Sequence, residues 1–250
     1  RQVVYEKPDH VRAQINLGAA LKEQGRYDAA IRRYQKAIAS VPDNADVHWN
    51  HALTLLAMGN YAEGWAEYEW RSMIPGFAME PADRPQWQGE DLEGRTLLVH
   101  AEQGLGDTLQ FVRYLSFLRK VDGDIVFACP PRLIPLLKEF TGNIRLVALD
   151  KKPSHDLQVP LMSLPRLFND ALPFEPDGPD GNGYLIPDQT RVANWADKLG
   201  AGPGRRIGIA WQGSTGYQND GRRSIPLLNF EPIARLEDTQ LISLQQGEGT

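Results

Sequence analysis

Residues 95–118 read Arg95-Thr96-Leu97-Leu98-Val99-His100-Ala101-Glu102-Gln103-Gly104-Leu105-Gly106-Asp107-Thr108-Leu109-Gln110-Phe111-Val112-Arg113-Tyr114-Leu115-Ser116-Phe117-Leu118. The run Thr96–Ala101 is short and apolar, with Arg95 and Glu102 at its ends, and is expected to be a buried strand. From Thr108 the residues Phe111, Leu115 and Leu118 fall at i, i+4 and i+7, one face of a helix. Between them lies a turn, Glu102–Asp107, with two glycines. Glycine lets a backbone approach a ligand closely, and a helix start offers N–H groups to an anion, so the turn is a candidate phosphate or diphosphate site. It equally fits a tight strand-to-helix turn that needs glycine for geometry and uses Asp107 as an N-cap.

The rest of the chain supplies the context for this stretch. With 250 residues there is room for one large domain or two ordinary ones. Cys129 is the single cysteine, so no intrachain disulfide forms and a reducing compartment is expected. No apolar stretch approaches the roughly 18 residues needed to span a bilayer, and no charged-then-apolar leader opens the chain. A cytoplasmic location is the expectation. The net charge of −5 argues against nucleic-acid binding driven by phosphate neutralisation.

The first third repeats itself. Leu17-Gly18, Leu21, Gly25, Tyr27, Ala30, Tyr34, Ala37 and Pro42 stand at the spacings of a tetratricopeptide repeat, and a shift of 34 residues gives His51-Ala52, Leu55, Gly59, Tyr61, Gly64, Tyr68 and Arg71. Small residues such as Gly18, Ala30 and Ala52 permit close helix approach, while Leu21, Tyr27, Leu55 and Tyr61 are expected to fill the space between paired helices. Two repeats bury too little by themselves. Either further repeats precede Arg1, or the second copy docks on the next domain. Its aromatic end, with Trp65, Tyr68 and Trp70, is the expected docking face; a peptide-binding patch is the other reading. His48 and His51, three apart, lack further ligands nearby and are expected on the repeat surface.

A connector over residues 74–94, rich in Pro and Gly, is expected to be pinned by Trp87. Apolar runs at Thr96–Ala101, Asp124–Cys129, Ile144–Leu149 and Asp156–Val159 then alternate with helical stretches, the rhythm of a parallel sheet with right-handed crossovers. The Pro, Gly and Asp-rich stretch Pro173–Gly183 is expected to be a linker or long loop. A second set begins with a helix at Thr190–Leu199, the strand Arg206–Trp211 and a polar loop. The division expected is therefore repeats over 1–73, connector over 74–94, a first Rossmann-like half over 95–188, and an incomplete second half over 189–250. The class is α plus α/β.

Several chemistries lack their residues. Gly104-x-Gly106 is not followed by the third glycine of a dinucleotide fingerprint, since position 109 is Leu109; a dinucleotide enzyme is thus an outside reading. No Walker loop, serine-hydrolase elbow or metal-ligand spacing is found, so no metal and no cofactor are expected. Asp107 stands where a carboxylate could take a proton from an acceptor hydroxyl. Gln212, Ser214 and Thr215 can hydrogen-bond a ligand, and Arg222-Arg223-Ser224 carries two guanidiniums suited to a diphosphate, or else a solvated pair.

The segments His100–Tyr114 and Gly208–Gly213, with Arg222-Arg223-Ser224-Ile225-Pro226-Leu227 after them, resemble bacterial tetratricopeptide proteins with a C-terminal glycosyltransferase-like domain. Such domains look like the heptosyltransferase class, of B-type glycosyltransferase architecture with two Rossmann-like halves. The resemblance implies metal-independent, inverting transfer of a sugar from a nucleotide-sugar donor. It implies Asp107 as the base, since Gly106-Asp107 matches the catalytic position, and donor phosphates near Gln212, Ser214, Arg222, Arg223 and Ser224, with Gly104 and Gly106 beside the acceptor or diphosphate. Family members continue beyond the point matching Thr250, so the last half is expected to be truncated. The repeats are expected to present a peptide, protein or glycan acceptor. A non-catalytic interaction scaffold binding a peptide is the alternative from another class.

Overall fold

The computed structural model describes residues 5, 7, 10–75, 77, 83–151, 153–168, 183–200, 202, 204–213, 216 and 220–247. They form two compact units, Arg1–Ile186 and Pro187–Thr250.

The first unit opens with two helical hairpins: α1 (Val11–Glu23) with α2 (Tyr27–Ser40), and α3 (Ala45–Ala57) with α4 (Tyr61–Tyr68). Each hairpin turns by the same device. Gly25 and Gly59 take φ of 71° and 81°, and the following N–H groups of Arg26 and Asn60 reach back to the carbonyls of Leu21 and Leu55, closing each first helix with a Schellman bond. Asn44 caps α3 by accepting from the Val47 N–H at 3.2 Å. Close approach is set by Gly18, where a Cβ would lie 2.5 Å from the Tyr34 ring. Tyr34 and Leu21 fill the first hairpin as buried residues. Tyr61 departs from expectation: as the first residue of α4 it sits at the hairpin tip and is 52 % exposed.

The repeats do not stand apart. A short 3₁₀ turn, Glu69–Met73, follows α4, and Trp87 of the connector is buried in the α/β core. The connector also adds to the sheet: Gln86 bridges Gln158 in parallel, with Trp87 N–H donating to the Gln158 carbonyl at 2.8 Å and Gln158 N–H to that of Pro85 at 3.1 Å. A free edge of the fourth strand is thereby paired.

The sheet has four parallel strands, β1 (Thr96–His100), β2 (Asp124–Cys129), β3 (Arg145–Ala148) and β4 (Leu157–Pro160), in the order β3-β2-β1-β4. Central β1 pairs Leu97 with both Ile125 and Leu157. Strand order reverses beside β1, between its neighbours β2 and β4, and that is where open parallel sheets take ligands at their carboxyl ends. Leu97, Val99, Phe127 and Val159 point one way into a core completed from the crossovers α5 (Leu105–Phe111), α6 (Leu115–Leu118) and α7 (Ile134–Thr141) by Leu115, Leu118 and Leu137, with Val112 from the 3₁₀ turn between α5 and α6; α8 (Leu164–Leu167) follows β4. The helix after β1 begins at Leu105, not Thr108. The two residues Gly106 and Asp107 therefore lie in its first turn, and Gly104, not Asp107, is the N-cap.

The second unit carries α9 (Gln189–Leu199), capped by Asp188 accepting from the Arg191 N–H at 3.0 Å, then β5 (Arg205–Ile209), α10 (Glu231–Ala234) and β6 (Thr239–Ser243). Strands β5 and β6 pair in parallel. Most of the Pro173–Gly183 stretch, together with Ser214 and Thr215, lies outside the described residues.

Candidate functional site

The turn after β1 is built from Glu102 outward. Glu102 is buried, and a buried carboxylate needs a cation and further donors. The second repeat supplies the cation. Arg71 is 1 % exposed and meets Glu102 fork to fork, Nε to Oε2 at 2.9 Å and Nη2 to Oε1 at 2.7 Å. Its remaining donors go to Ser163 Oγ (2.8 Å), Glu69 Oε1 (3.0 Å) and the Tyr68 carbonyl (3.2 Å). Ser163 Oγ in turn donates to Glu69 Oε2 at 3.0 Å, and Glu102 Oε1 also accepts from the Met162 N–H at 3.1 Å. Burial alone would lower the Arg71 pKa, but the hydrogen bonds and charge of Glu102, and then of Glu69, outweigh it and raise it. The network thus joins the repeat to the loops after β1 and β4, at the point where strand order reverses.

Gln103 comes next and takes φ of 60°, a left-handed conformation uncommon for a side-chain-bearing residue. Its Nε2 donates to the Tyr68 hydroxyl at 2.9 Å. Tyr68 is buried against Met162, and burial pushes its phenol up to about 12. Trp65 meets Phe111 edge-on at 5.4 Å. Trp65 and Tyr68 therefore make the dock expected of them. Trp70 does not: it stacks on the His48 ring at 4.1 Å, inside the repeat.

Gly104 and Asp107 close the turn on themselves, the Gly104 N–H donating to Asp107 Oδ2 at 3.0 Å. Asp107 is half-buried, and Gly104 and Gly106 are exposed. At Gly106 a Cβ would meet nothing within 4 Å. The three residues are brought together, with Asp107 serving the helix start as an acceptor.

In the second unit, the loop after β5 is gathered by side chains. Gln245 Oε1 accepts from the N–H groups of Trp211 and Gln212, each at 3.1 Å, and its Nε2 returns to the Gln212 carbonyl at 3.1 Å. The Gly213 N–H donates to Ser224 Oγ at 3.1 Å, and Asp220 Oδ1 holds both Ser224 (2.9 Å) and the Arg223 Nε (3.1 Å). Arg223 lies directly over Gly213, where a Cβ would fall 2.6 Å from its guanidinium. Gln212, Arg223 and Ser224 thus share one knot at the carboxyl end of β5, with exposed Arg222 next to it.

The two histidines sit elsewhere than expected. His48 and His51 are 6 % and 3 % exposed, buried in the second repeat, where partners satisfy His48. Its Nδ1 meets Glu67 Oε2 at 2.5 Å and its Nε2 the Pro42 carbonyl at 2.7 Å. Among the described residues no group of three His, Cys, Asp or Glu side chains could hold a metal. No helix is long and apolar enough to cross a membrane.

No site role was read in the sequence for Arg71, Glu102, Ser163, Asp220 or Gln245. Arg71 alone carried a signal: it follows the 34-residue shift of the repeat and stands at the position of the buried Ala37, where a long charged side chain needs acceptors.

The family model described as TPR repeat matches residues 18–59. Protein FlbA of Caulobacter vibrioides is 28 % identical over 270 residues, covering 96 % of this chain and 44 % of FlbA, so the chain spans less than half the length of that relative. Among solved structures, a MamA mutant shares 27 % identity over 30 % of this chain and 55 % of its own, with a TM-score of 0.28. An O-GlcNAc transferase mutant of Thermobaculum terrenum shares 14 % identity over 84 % of this chain and 41 % of its own, with a TM-score of 0.29. The helical hairpins are tetratricopeptide repeats, and they are followed by parallel α/β structure.

Proposed function

We propose that this chain is the repeat-bearing, donor-binding portion of a glycosyltransferase of B-type architecture that acts on a nucleotide-sugar, its repeats presenting a peptide, protein or glycan acceptor. The observation that carries the reading is the sheet order β3-β2-β1-β4, with a glycine turn and a carboxylate at the carboxyl end of its central strand. Arg222, Arg223, Ser224 and Gln212 are assigned to the donor diphosphate, as is Ser214 outside the described residues, and the exposed Gly106 amide to a ligand oxygen. The Gly104 amide is already used by Asp107. Asp107 is assigned as general base. Its Oδ2 is taken by Gly104, so Oδ1 removes the acceptor hydroxyl proton while that oxygen forms its bond to the anomeric carbon. The bond from that carbon to the diphosphate breaks, and the leaving diphosphate carries away the electron pair and the charge. A cytoplasmic location belongs to the same reading.

Calorimetric titration with nucleoside diphosphates and their sugars tests the donor assignment. Saturable binding that Arg222→Ala or Arg223→Ala weakens roughly tenfold supports it. Asp107→Asn should cost on the order of 10²–10⁴ in turnover in a longer natural form while leaving the fold intact. Retained turnover removes the base assignment. One observation favours a second reading, a non-catalytic scaffold: the loops after β1 and β4 are bound by the chain's own Arg71. Under it, both this chain and a longer form ignore nucleotides and bind a peptide.

A further inference from the structure

We infer that Tyr68 and Arg71, at the end of the second repeat, are positioning residues that set the conformation of the glycine turn after β1. The importance of that turn for a ligand rests on the function proposed above, but its dependence on the repeat does not. Three observations converge. Glu102, the first residue of the turn, has both carboxylate oxygens on Arg71. Gln103, the second, holds a left-handed φ of 60°, which for a residue with a Cβ persists when its surroundings impose it, and its amide is anchored on the Tyr68 hydroxyl. Gly104, the third, is thereby delivered with its N–H aimed at Asp107 Oδ2, which starts α5.

A dock that served only to bury apolar area would need none of this. Trp65 on Phe111 and the Tyr68 ring beside Met162 already supply that contact. The hydroxyl and the guanidinium add polar contacts to consecutive residues of one turn, which fixes its path. The placement of Asp107 and Gly106 thus depends on side chains of a different structural element about 30 residues upstream.

Amide hydrogen exchange on the full chain tests this without any ligand. The Gly104 and Thr108 amides are both hydrogen-bonded within the turn and report on it, while amides of α3 and β1 report on the rest of the unit. Tyr68→Phe keeps the ring and removes the anchor for Gln103, together with the weak donation from the hydroxyl to Met162 Sδ at 3.9 Å. Exchange at Gly104 and Thr108 should then rise about five- to tenfold, with α3 and β1 unchanged. The paired change Arg71→Gln with Glu102→Gln, which leaves no lone buried charge, should do the same; if the paired variant does not fold, Tyr68→Phe decides alone. Unchanged exchange at Gly104 and Thr108 overturns the inference, as does a rise shared equally by α3 and β1, because that is simple loss of stability. Titration with a panel of nucleoside diphosphates separates the two claims: where neither the parent chain nor a longer natural form binds any of them, the functional reading fails, and the exchange result still decides the positioning role.

Discussion

Arg71 and Glu102 form an ion pair with almost no water around it, and such a pair is asymmetric in its energetics. Its attraction roughly offsets the desolvation of two charges, whereas removing one partner strands the other. Arg71→Met should therefore destabilise the protein by about 3–5 kcal/mol, and the double change Arg71→Met with Glu102→Leu by distinctly less; urea unfolding of the three proteins checks this. Glu67 gives a second prediction at this scale. Burial acts to raise its pKa, but hydrogen bonds and charge from His51 and His48 outweigh burial and hold it below the ordinary value. A carboxylate depressed in the folded state contributes stability that is complete above its unfolded pKa, about 4.3, and is lost as pH falls through the folded value. The melting temperature should fall as pH drops below about 4.3, and Glu67→Gln should flatten that part of the profile. Arg71 was legible only as a position in the 34-residue register, where the first copy has Ala37. The burial of His48 was not legible, because Glu67 and the Pro42 carbonyl come from other turns of the chain.

At the scale of elements, glycines that look alike in the sequence do different work. Gly18 admits the Tyr34 ring, so Gly18→Ala overpacks the first hairpin and should cost about 1–3 kcal/mol. Gly106 sits in the first turn of α5 with open space where a Cβ would go, so Gly106→Ala should be neutral or stabilise by about 0.4–1 kcal/mol. Thermal unfolding separates the two. Loss of nucleotide binding in Gly106→Ala without loss of stability would show that this glycine serves a ligand. The strands and repeat hairpins were readable because their patterns survive in any context: a 34-residue shift, and four short apolar runs, the first three spaced by helices. The start of α5 was misread by three residues, since the apolar face begins late and the N–H of Gly104 reaching Asp107 leaves no periodic trace. The bridge at Gln86 was missed for a similar reason. One residue held to β4 by backbone hydrogen bonds has no pattern to read.

The first unit as a whole owes its unity to the dock, and this makes a claim about cooperativity. A tetratricopeptide repeat needs a neighbour to cover its face, and the second repeat has one in Phe111, Met162 and Glu102 of the α/β part. The aromatic end of the second repeat was readable as a docking face, but not the surface it meets, because Met162 and Ser163 lie about 90 residues away in a short helical segment with no signal of a partner. If the dock couples the parts, the helices and the sheet should open together. Cys129 reports on the sheet: it is fully buried at the end of β2, and burial pushes its thiol up to about 11. It should resist a thiol reagent at pH 8 in the folded protein and react only through opening. In the parent chain, its labelling across a urea series should track the helical circular dichroism with one midpoint, as two-state unfolding of the unit requires. Arg71→Met should separate the curves, the helical signal falling first while Cys129 stays protected. Coincident curves in that variant would mean that Trp65, Tyr68 and Met162 hold the repeats to the sheet without the ion pair, and would assign Arg71 to the path of the turn rather than to the union of the two parts.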